Sequence, residues 1–164
     1  MKKSLLILLT CFVLTLFSCG GKDDGKDDYI ISDWYPIEFE IYVEDENGGD
    51  LLDKTSPDYV GEKLSLVYND FVYKIEDNIS KDYKPEFQGL IINEKGGRYC
   101  LYFGELEGFS NYDDDFVIKW EDGREDVIHF YRKITGSLDA DDKWFLNGSD
   151  TKQNKPYAVF TITK

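Results

Sequence analysis

One stretch constrains the fold most, because its side chains alternate strictly between two faces. Between Trp34 and Val43, one phase carries Tyr35, Ile37, Phe39, Ile41 and Val43, and the other carries Trp34, Pro36, Glu38, Glu40 and Tyr42. A period of two is that of a β-strand with one buried and one wetted face. Pro36 predicts either an edge position for this strand or the point at which the strand begins.

Further short alternating segments occur in pairs that flank turn residues. The predicted pairs are 63–68 with 71–75 around Asn69-Asp70, 87–93 with 98–104 around 94–97, 116–120 with 126–131 around 121–125, and 144–146 with 157–162 around the polar loop 147–156. Asn, Asp and Gly tolerate the positive φ that tight hairpins require. The stretch 104–115, with Gly108, Asn111 and three consecutive aspartates, is predicted to be a loop.

These segments give about nine strands and no stretch of helical periodicity. Short strands at regular spacing with turns between them are typical of antiparallel sandwiches and barrels. The sequence therefore predicts an all-β, antiparallel β-sandwich that is Ig-like or transthyretin-like in shape. The predicted organisation is a signal peptide at 1–18, a flexible acidic tether at 19–33 and one sandwich domain at 34–164.

The N-terminal leader predicts secretion and anchoring. Lys2 and Lys3 precede an apolar run from Leu5 to Phe17, which is shorter than the about 17 to 25 residues of a spanning helix. An ordinary secretory signal would need an A-x-A-type site, which is lacking here. The run ends in Leu16-Phe17-Ser18-Cys19, which resembles the lipobox of bacterial lipoproteins. That resemblance implies a diacylglyceryl thioether and an N-acyl group on Cys19, enough for stable anchoring.

The tether carries Gly, Lys and Asp and cannot bury apolar surface, which indicates a flexible chain. Its Lys-Asp-Asp run also resembles the acidic export signal of surface lipoproteins of Bacteroidota. The predicted location is the outer membrane, lipid-anchored and facing the cell exterior, with the periplasmic face as the alternative. The alternative interpretation of the run is a plain spacer that carries no export signal.

The charge balance restricts the partners. The leader takes two of the 19 basic residues and none of the 33 acidic residues, which leaves a net charge of −16 after cleavage. A surface this acidic repels phosphate backbones and argues against nucleic acid. It is compatible with divalent cations, neutral glycans or basic partners.

The acidic turn after the first strand invites a calcium hypothesis. Oxygen side chains at Asp45, Asn47, Asp50 and Asp53 cluster around Asn47-Gly48-Gly49, and hard cations prefer such oxygens. An EF-hand pattern fails here at three positions, so a plain acidic turn is the alternative. No other metal or cofactor is predicted.

Residue types that act as nucleophiles or as general acids and bases in enzymes give few candidates in this chain. Cys100 stands in an apolar run and is predicted to be a buried, inert thiol. His129 is the single histidine and is predicted to be half-exposed on a strand, on the opposite face from Ile128. The runs 113–115 and 139–142 are interpreted as solvated acidic tips, with cation loops as the alternative.

Aromatic residues are abundant, with 26 Phe, Tyr and Trp in the chain. Trp34, Tyr42, Tyr112 and Tyr131 fall on outward phases or in loops. A row of such rings could stack on sugars, and rim packing of a small sandwich is the alternative.

A wider resemblance covers nearly the whole mature chain. Its motifs are Tyr35-Pro36-Ile37, the acidic turn 45–53, Tyr102-Phe103-Gly104-Glu105 and the pattern from Ile118 to Ile128. Together they resemble small lipoproteins of the Bacteroides type. The resemblance implies location and fold, and it carries no catalytic residue.

Two functional hypotheses follow from the sequence. The first is a noncatalytic, membrane-anchored binding or accessory module for an extracellular glycan or protein. The second is a small glycoside hydrolase with two carboxylates about 5 to 9.5 Å apart across a cleft.

Overall fold

The structure is a computed structural model that describes residues 35–75, 89–137 and 139–164. The leader, Cys19, the tether and Trp34 lie outside the described residues, and so do the predictions made for them. All described residues fall within one compact unit of the chain.

The described residues contain ten strands and one short 3₁₀ turn, which are joined by turns and loops. The elements are β1 Ile37–Glu44, the 3₁₀ turn Gly61–Lys63, β2 Leu64–Tyr68, β3 Phe71–Tyr73, β4 Leu90–Lys95, β5 Arg98–Leu106, β6 Tyr112–Trp120, β7 Glu125–Ile134, β8 Ala140–Leu146, β9 Ser149–Asp150 and β10 Tyr157–Thr163. One sheet has four strands in the order β10-β1-β5-β4, and the other has six in the order β3-β2-β6-β7-β8-β9. The predicted all-β sandwich is confirmed.

The core lies between the two sheets and is built from the predicted alternation. In β1, Ile37, Phe39, Ile41 and Val43 are all fully buried, as their shared phase predicts. Phe39 lies at the centre of an aromatic cluster whose other rings have centroids 5.1 to 6.0 Å away. These rings belong to Phe103 and Phe160 of the same sheet and to Phe116 and Trp144 of the facing sheet. Edge-to-face packing of this kind adds to the stabilisation from apolar burial.

The start of β1 resolves the two interpretations of Pro36. β1 lies between β10 and β5, so it is not an edge strand. Pro36 directly precedes β1, where its missing N–H interrupts no ladder.

Gly104 of β5 lies opposite Glu38, and a Cβ there would come within 2.4 Å of the Glu38 Cβ. Only glycine allows the two strands to approach this closely.

Three of the predicted tight turns are present. Asn69 and Asp70 both have positive φ, 49° and 65°, and join β2 to β3. The turn predicted over 94–97 is tighter than expected, because Gly96 and Gly97 alone connect β4 to β5. The Asp-Gly turn that precedes β7 is also found, with Gly123 at φ 84°.

The predicted loop over 104–115 is wrong over most of its length. β5 continues to Leu106, and β6 begins at Tyr112 and includes all three aspartates. A strand tolerates aspartates on a wetted face when a ladder holds its backbone, and here residues 112–115 pair with β7 while the pairing with β2 covers only 117–120. Asp114 points the other way and accepts a hydrogen bond from the Tyr68 hydroxyl.

The predicted pairing of the last two strands is also wrong. β8 pairs with β7 and with the two-residue strand β9, whereas β10 runs parallel to β1 in the other sheet. Periodicity identifies which face of a strand is buried, but it carries no information about the neighbour that the strand pairs with.

Candidate ligand-binding face

The outward side of the six-stranded sheet carries the histidine of the chain together with aromatic rings and several carboxylates. In β6 and β7, Phe116, Ile118, Ile128 and Phe130 are fully buried. Because side chains alternate along a strand, the odd-numbered residues of both strands point away from the core. We call this side of the sheet, with the outward residues of β2, β3, β6, β7, β8 and β9, the outer face.

His129 lies at the centre of the outer face. Asp115 of β6 and Phe145 of β8 are its direct partners across the two neighbouring strands. His129 Nδ1 is 2.8 Å from Asp115 Oδ1, and His129 Nε2 is 3.3 Å from Asp113 Oδ1. Asp115 is thus within hydrogen-bond distance of one ring nitrogen, and Asp113 lies within ion-pair distance of the other. The His129 side chain is 32% exposed, which confirms the predicted half-exposed position opposite Ile128.

Two further rings accompany this histidine. The centroid of Phe145 lies 5.5 Å from that of His129, with the rings tilted at 53°. Tyr131 follows on β7, where Lys143 is its partner on β8 and places its ammonium 5.6 Å from the Tyr131 ring centroid. The Lys143 ammonium is also 3.1 Å from Asp141, and this hydrogen bond raises the pKa of Lys143.

An apolar row borders these rings. Val72, Val67, Val117 and Val127 are successive partners across β3, β2, β6 and β7. Val72 is 62% exposed, and the other three are half-buried. The outer face therefore has an apolar part beside a part with rings and carboxylates.

The carboxylates surround the rings on two sides. Asp113 and Asp115 lie on β6, and their side chains are 77% and 61% exposed. On the other side lie Asp141 of β8 and Asp150, the register partner of Phe145 on β9. The arrangement offers stacking surfaces next to strong hydrogen-bond acceptors, which is the combination that sugar rings require.

The predicted outward aromatics meet different outcomes. Tyr131 points outward as predicted. Tyr42 lies on the outward side of the other sheet, with the Arg98 guanidinium 4.8 Å from its ring centroid. The prediction for Tyr112 is wrong: its ring packs 5.9 Å from Phe130, and its hydroxyl donates to the backbone carbonyl of residue 107. Phe145 was missed, although its position next to the buried Trp144 signals an outward phase.

The calcium candidates stand in a turn whose carboxylates are already used. Asp45 accepts hydrogen bonds of 2.7 Å from the backbone N–H of Asn47 and of a glycine further along the turn. Asp50 accepts a 2.7 Å bond from the N–H of Tyr99, and Asp53 caps the turn that follows it. These backbone donors lower the pKa of Asp45 and of Asp53. In residues 35–75, 89–137 and 139–164 no three His, Cys, Asp or Glu side chains converge as around a metal ion, and calcium stays a prediction.

Part of the outward side of the four-stranded sheet is covered by contacts among its own side chains. Lys95 Nζ lies 2.9 Å and 3.1 Å from the two carboxylate oxygens of Glu40 and donates to the Tyr157 hydroxyl at 3.1 Å. Cys100 lies on the same side and is fully buried, as predicted. Burial is the main reason why the pKa of the Cys100 thiol is raised, and the nearby Glu40 adds to it. A buried thiol with a raised pKa is a weak nucleophile.

Comparison with known proteins adds no family to this picture. No protein-family model, curated protein or solved structure matches the chain. The choice between an Ig-like and a transthyretin-like shape therefore stays a prediction. Within the described part of the chain, no helix is both long and apolar enough to cross a bilayer.

Proposed function

We propose that this protein is a noncatalytic surface lipoprotein whose outer face binds an extracellular neutral glycan. One observation carries the proposal: the strand register lines up His129, Phe145 and Tyr131 on one exposed face with carboxylates on both sides. Apolar C–H surfaces of a sugar stack on such rings, and its hydroxyl groups donate to the carboxylates.

Charge favours a neutral ligand over an acidic one at this face. Asp113, Asp115, Asp141 and Asp150 surround the rings, and the chain as a whole has a net charge of −14. Acidic polysaccharides and nucleic acids would be repelled, whereas uncharged sugars would meet hydrogen-bond acceptors without this repulsion. The apolar row of Val72, Val67, Val117 and Val127 extends the apolar contact surface beyond the rings. It therefore suits a ligand longer than one sugar.

Anchoring at Cys19 would supply the display that such a module needs. The proposal places the acylated cysteine in the outer membrane and the sandwich outside the cell, at the end of the tether 19–33. It rests on the leader and on the resemblance to lipoproteins of Bacteroidota. Two acyl chains are enough to hold a protein on a bilayer permanently.

Binding is tested by affinity electrophoresis of the full chain in detergent, in gels that contain neutral glucans, xylans, mannans or galactans. We expect retardation by at least one of these polymers. Phe145→Ala should weaken the interaction by about tenfold, equivalent to ~1.4 kcal/mol. Tyr35→Ala is the matched control, because Tyr35 is a 74% exposed ring that lies outside the outer face.

Three results would count against glycan binding at this face. The first is no retardation by any polymer, and the second is equal loss in the Phe145 variant and the Tyr35 control. The third is release of new reducing ends that Asp113→Asn abolishes, which would favour the carboxylate hydrolase instead. That alternative needs two acids facing each other across a cleft, whereas Asp113 and Asp115 both bind the ring of His129.

Anchoring is tested separately with Cys19→Ala in a lipoprotein-processing host. We expect the native protein to enter the detergent phase of a Triton X-114 extract and its N-terminal peptide to carry acyl mass. The variant should remain in the aqueous phase. An unmodified N-terminus in the native protein, or unchanged partitioning of the variant, would refute the anchor and leave the binding proposal standing.

A further inference from the structure

Two exposed aromatic rings lie at the end of the sandwich where the chain enters it. Tyr35 is 74% exposed and stands two residues before β1, and Phe109 is 60% exposed in the connection between β5 and β6. Ile37 and Leu106 are register partners on β1 and β5, and Tyr35 and Phe109 both lie beyond this pair. The two rings therefore belong to the same end of the sandwich. We call residues 35–36 and 108–111 the tether end.

The loop that carries Phe109 is fixed by bonds on both sides of the ring. The Gly108 carbonyl accepts a 2.6 Å hydrogen bond from the buried Arg132 guanidinium. The Asn111 side chain accepts a 2.8 Å hydrogen bond from the N–H of Ile134. The exposure of Phe109 is thus a property of a loop that is bonded at both ends. A ring that is presented in this way has little ordering left to lose when a partner covers it.

The position of these rings along the chain indicates what covers them. The sequence predicts a flexible tether over residues 19–33, and a flexible chain of this length spans about 20 Å. With Cys19 acylated, the tether holds the sandwich close to the bilayer. The effective concentration of the lipid surface is then high, so that even a weak contact is populated. Aromatic side chains favour the headgroup region of a bilayer, because their rings are apolar and the tyrosine hydroxyl stays hydrated.

We propose that the tether end lies against the surface of the bilayer that holds Cys19, with Tyr35 and Phe109 in the headgroup region. This inference rests on the lipid anchor of the proposed function and goes beyond it, because an anchor alone leaves the orientation of the sandwich free. Contact at the tether end leaves the outer face uncovered, since His129 and Phe145 lie within β7 and β8. The docked sandwich therefore keeps its glycan face accessible.

The test uses the acylated full chain in phosphatidylcholine vesicles, with a fluorescent label attached after Ser137→Cys or after Glu121→Cys. Ser137 is exposed and follows the end of β7 that is bonded to the Phe109 loop, whereas Glu121 is exposed at the other end of β7. The buried Cys100 is a poor target for the label. Because interfacial rings lie about 5 to 10 Å inside the headgroup boundary, spin-labelled phosphatidylcholine should quench the first label at least about threefold more strongly than the second.

Substitution of the rings assigns the contact to them. Tyr35→Ser/Phe109→Ser should reduce the quenching of the label at position 137 to the level seen at position 121. Both side chains are exposed, so the circular dichroism spectrum should stay unchanged. Val159→Ser is the matched control, because Val159 is an exposed apolar residue on the outward side of β10. Its quenching should equal that of the native chain.

Three results would show that the proposal is wrong. The first is equal quenching of the two labels, and the second is full quenching in the double variant. The third is a label at position 137 that is shielded from an aqueous quencher but not quenched by lipid, which would indicate a protein partner or a second copy instead. Flotation with the vesicles tests the anchor in the same samples. A chain that floats without preferential quenching refutes docking alone, whereas a chain that does not float refutes the anchor and the docking that rests on it.

Discussion

The buried ion pair between β7 and β8 allows the sharpest test of what holds the sandwich together. Arg132 and Asp142 are direct register partners and only 3% and 4% exposed. Arg132 Nε donates to Asp142 Oδ1 at 2.6 Å, and Nη2 donates to Oδ2 at 2.7 Å. Its Nη1 donates to the Gly108 carbonyl at 2.6 Å, which ties the connection between β5 and β6 to the pair.

The perturbation is Asp142→Asn, which keeps the side-chain shape and removes its charge. The guanidinium is then buried without a counter-charge, because the Gly108 carbonyl satisfies one donor and neutralises nothing. Breaking a buried pair in this way costs about 3 to 5 kcal/mol. With a urea m-value of about 2 kcal/mol/M for a domain of this size, the midpoint should fall by roughly 1.5 to 2.5 M.

The assay is equilibrium urea unfolding, followed by tryptophan fluorescence at neutral pH. Asp141→Asn is the matched control on the same strand, since its partner Lys143 and Asp141 itself are about half exposed, at 52% and 49%. An exposed pair of this kind contributes at most about 1 kcal/mol. The double variant Arg132→Met/Asp142→Leu should recover most of the lost stability, because it removes both charges together.

Two outcomes would refute this reasoning. If Asp142→Asn lowers the urea midpoint no more than Asp141→Asn does, the substitution does not leave the Arg132 guanidinium as a buried charge without a counter-charge. If the apolar double variant is as unstable as Asp142→Asn, the loss comes from packing or from the tie to Gly108 rather than from an unpaired charge.

Three further predictions address other parts of the sandwich. The buried Cys100 thiol should react with iodoacetamide at pH 8 at least about tenfold more slowly in the native protein than in urea; equal rates would contradict its burial. Gln153 bonds both the N–H and the C=O of Val159 on the edge strand β10 and so occupies part of its free edge. Gln153→Ala should therefore promote concentration-dependent association, which light scattering would detect as a rise in mass. An unchanged mass would count against a protective role of Gln153 at this edge. Burial, with Glu40 nearby, raises the pKa of Tyr157 from 10.0 to about 12. Stability should therefore fall as pH rises from 10 towards 12, because the unfolded chain loses this proton first; the fall should be shallower in Tyr157→Phe, and identical pH profiles would exclude a contribution from Tyr157.

Only part of the arrangement at the outer face could be predicted from the sequence. His129 was correctly predicted to be half-exposed, and Tyr131 to point outward, because alternation along one strand determines both. The pattern did not show that Asp113 and Asp115 contact the histidine. The aspartates follow Gly108 and Asn111, and such a polar stretch has the local signature of a loop. Only the ladder between β6 and β7 supports them as a strand.

The sequence by itself determined which side is buried in the strongly alternating strands, such as β1 and β7, and where several of the chain reversals lie. Both properties are local: alternation follows from the two-residue repeat of a strand, and Asn69-Asp70 turns because these residues tolerate positive φ. Tertiary structure alone decided that β10 runs beside β1 and that three separate segments meet at His129. Those outcomes depend on contacts between residues far apart in the chain, whose energies are set only once the two sheets face each other across a shared core.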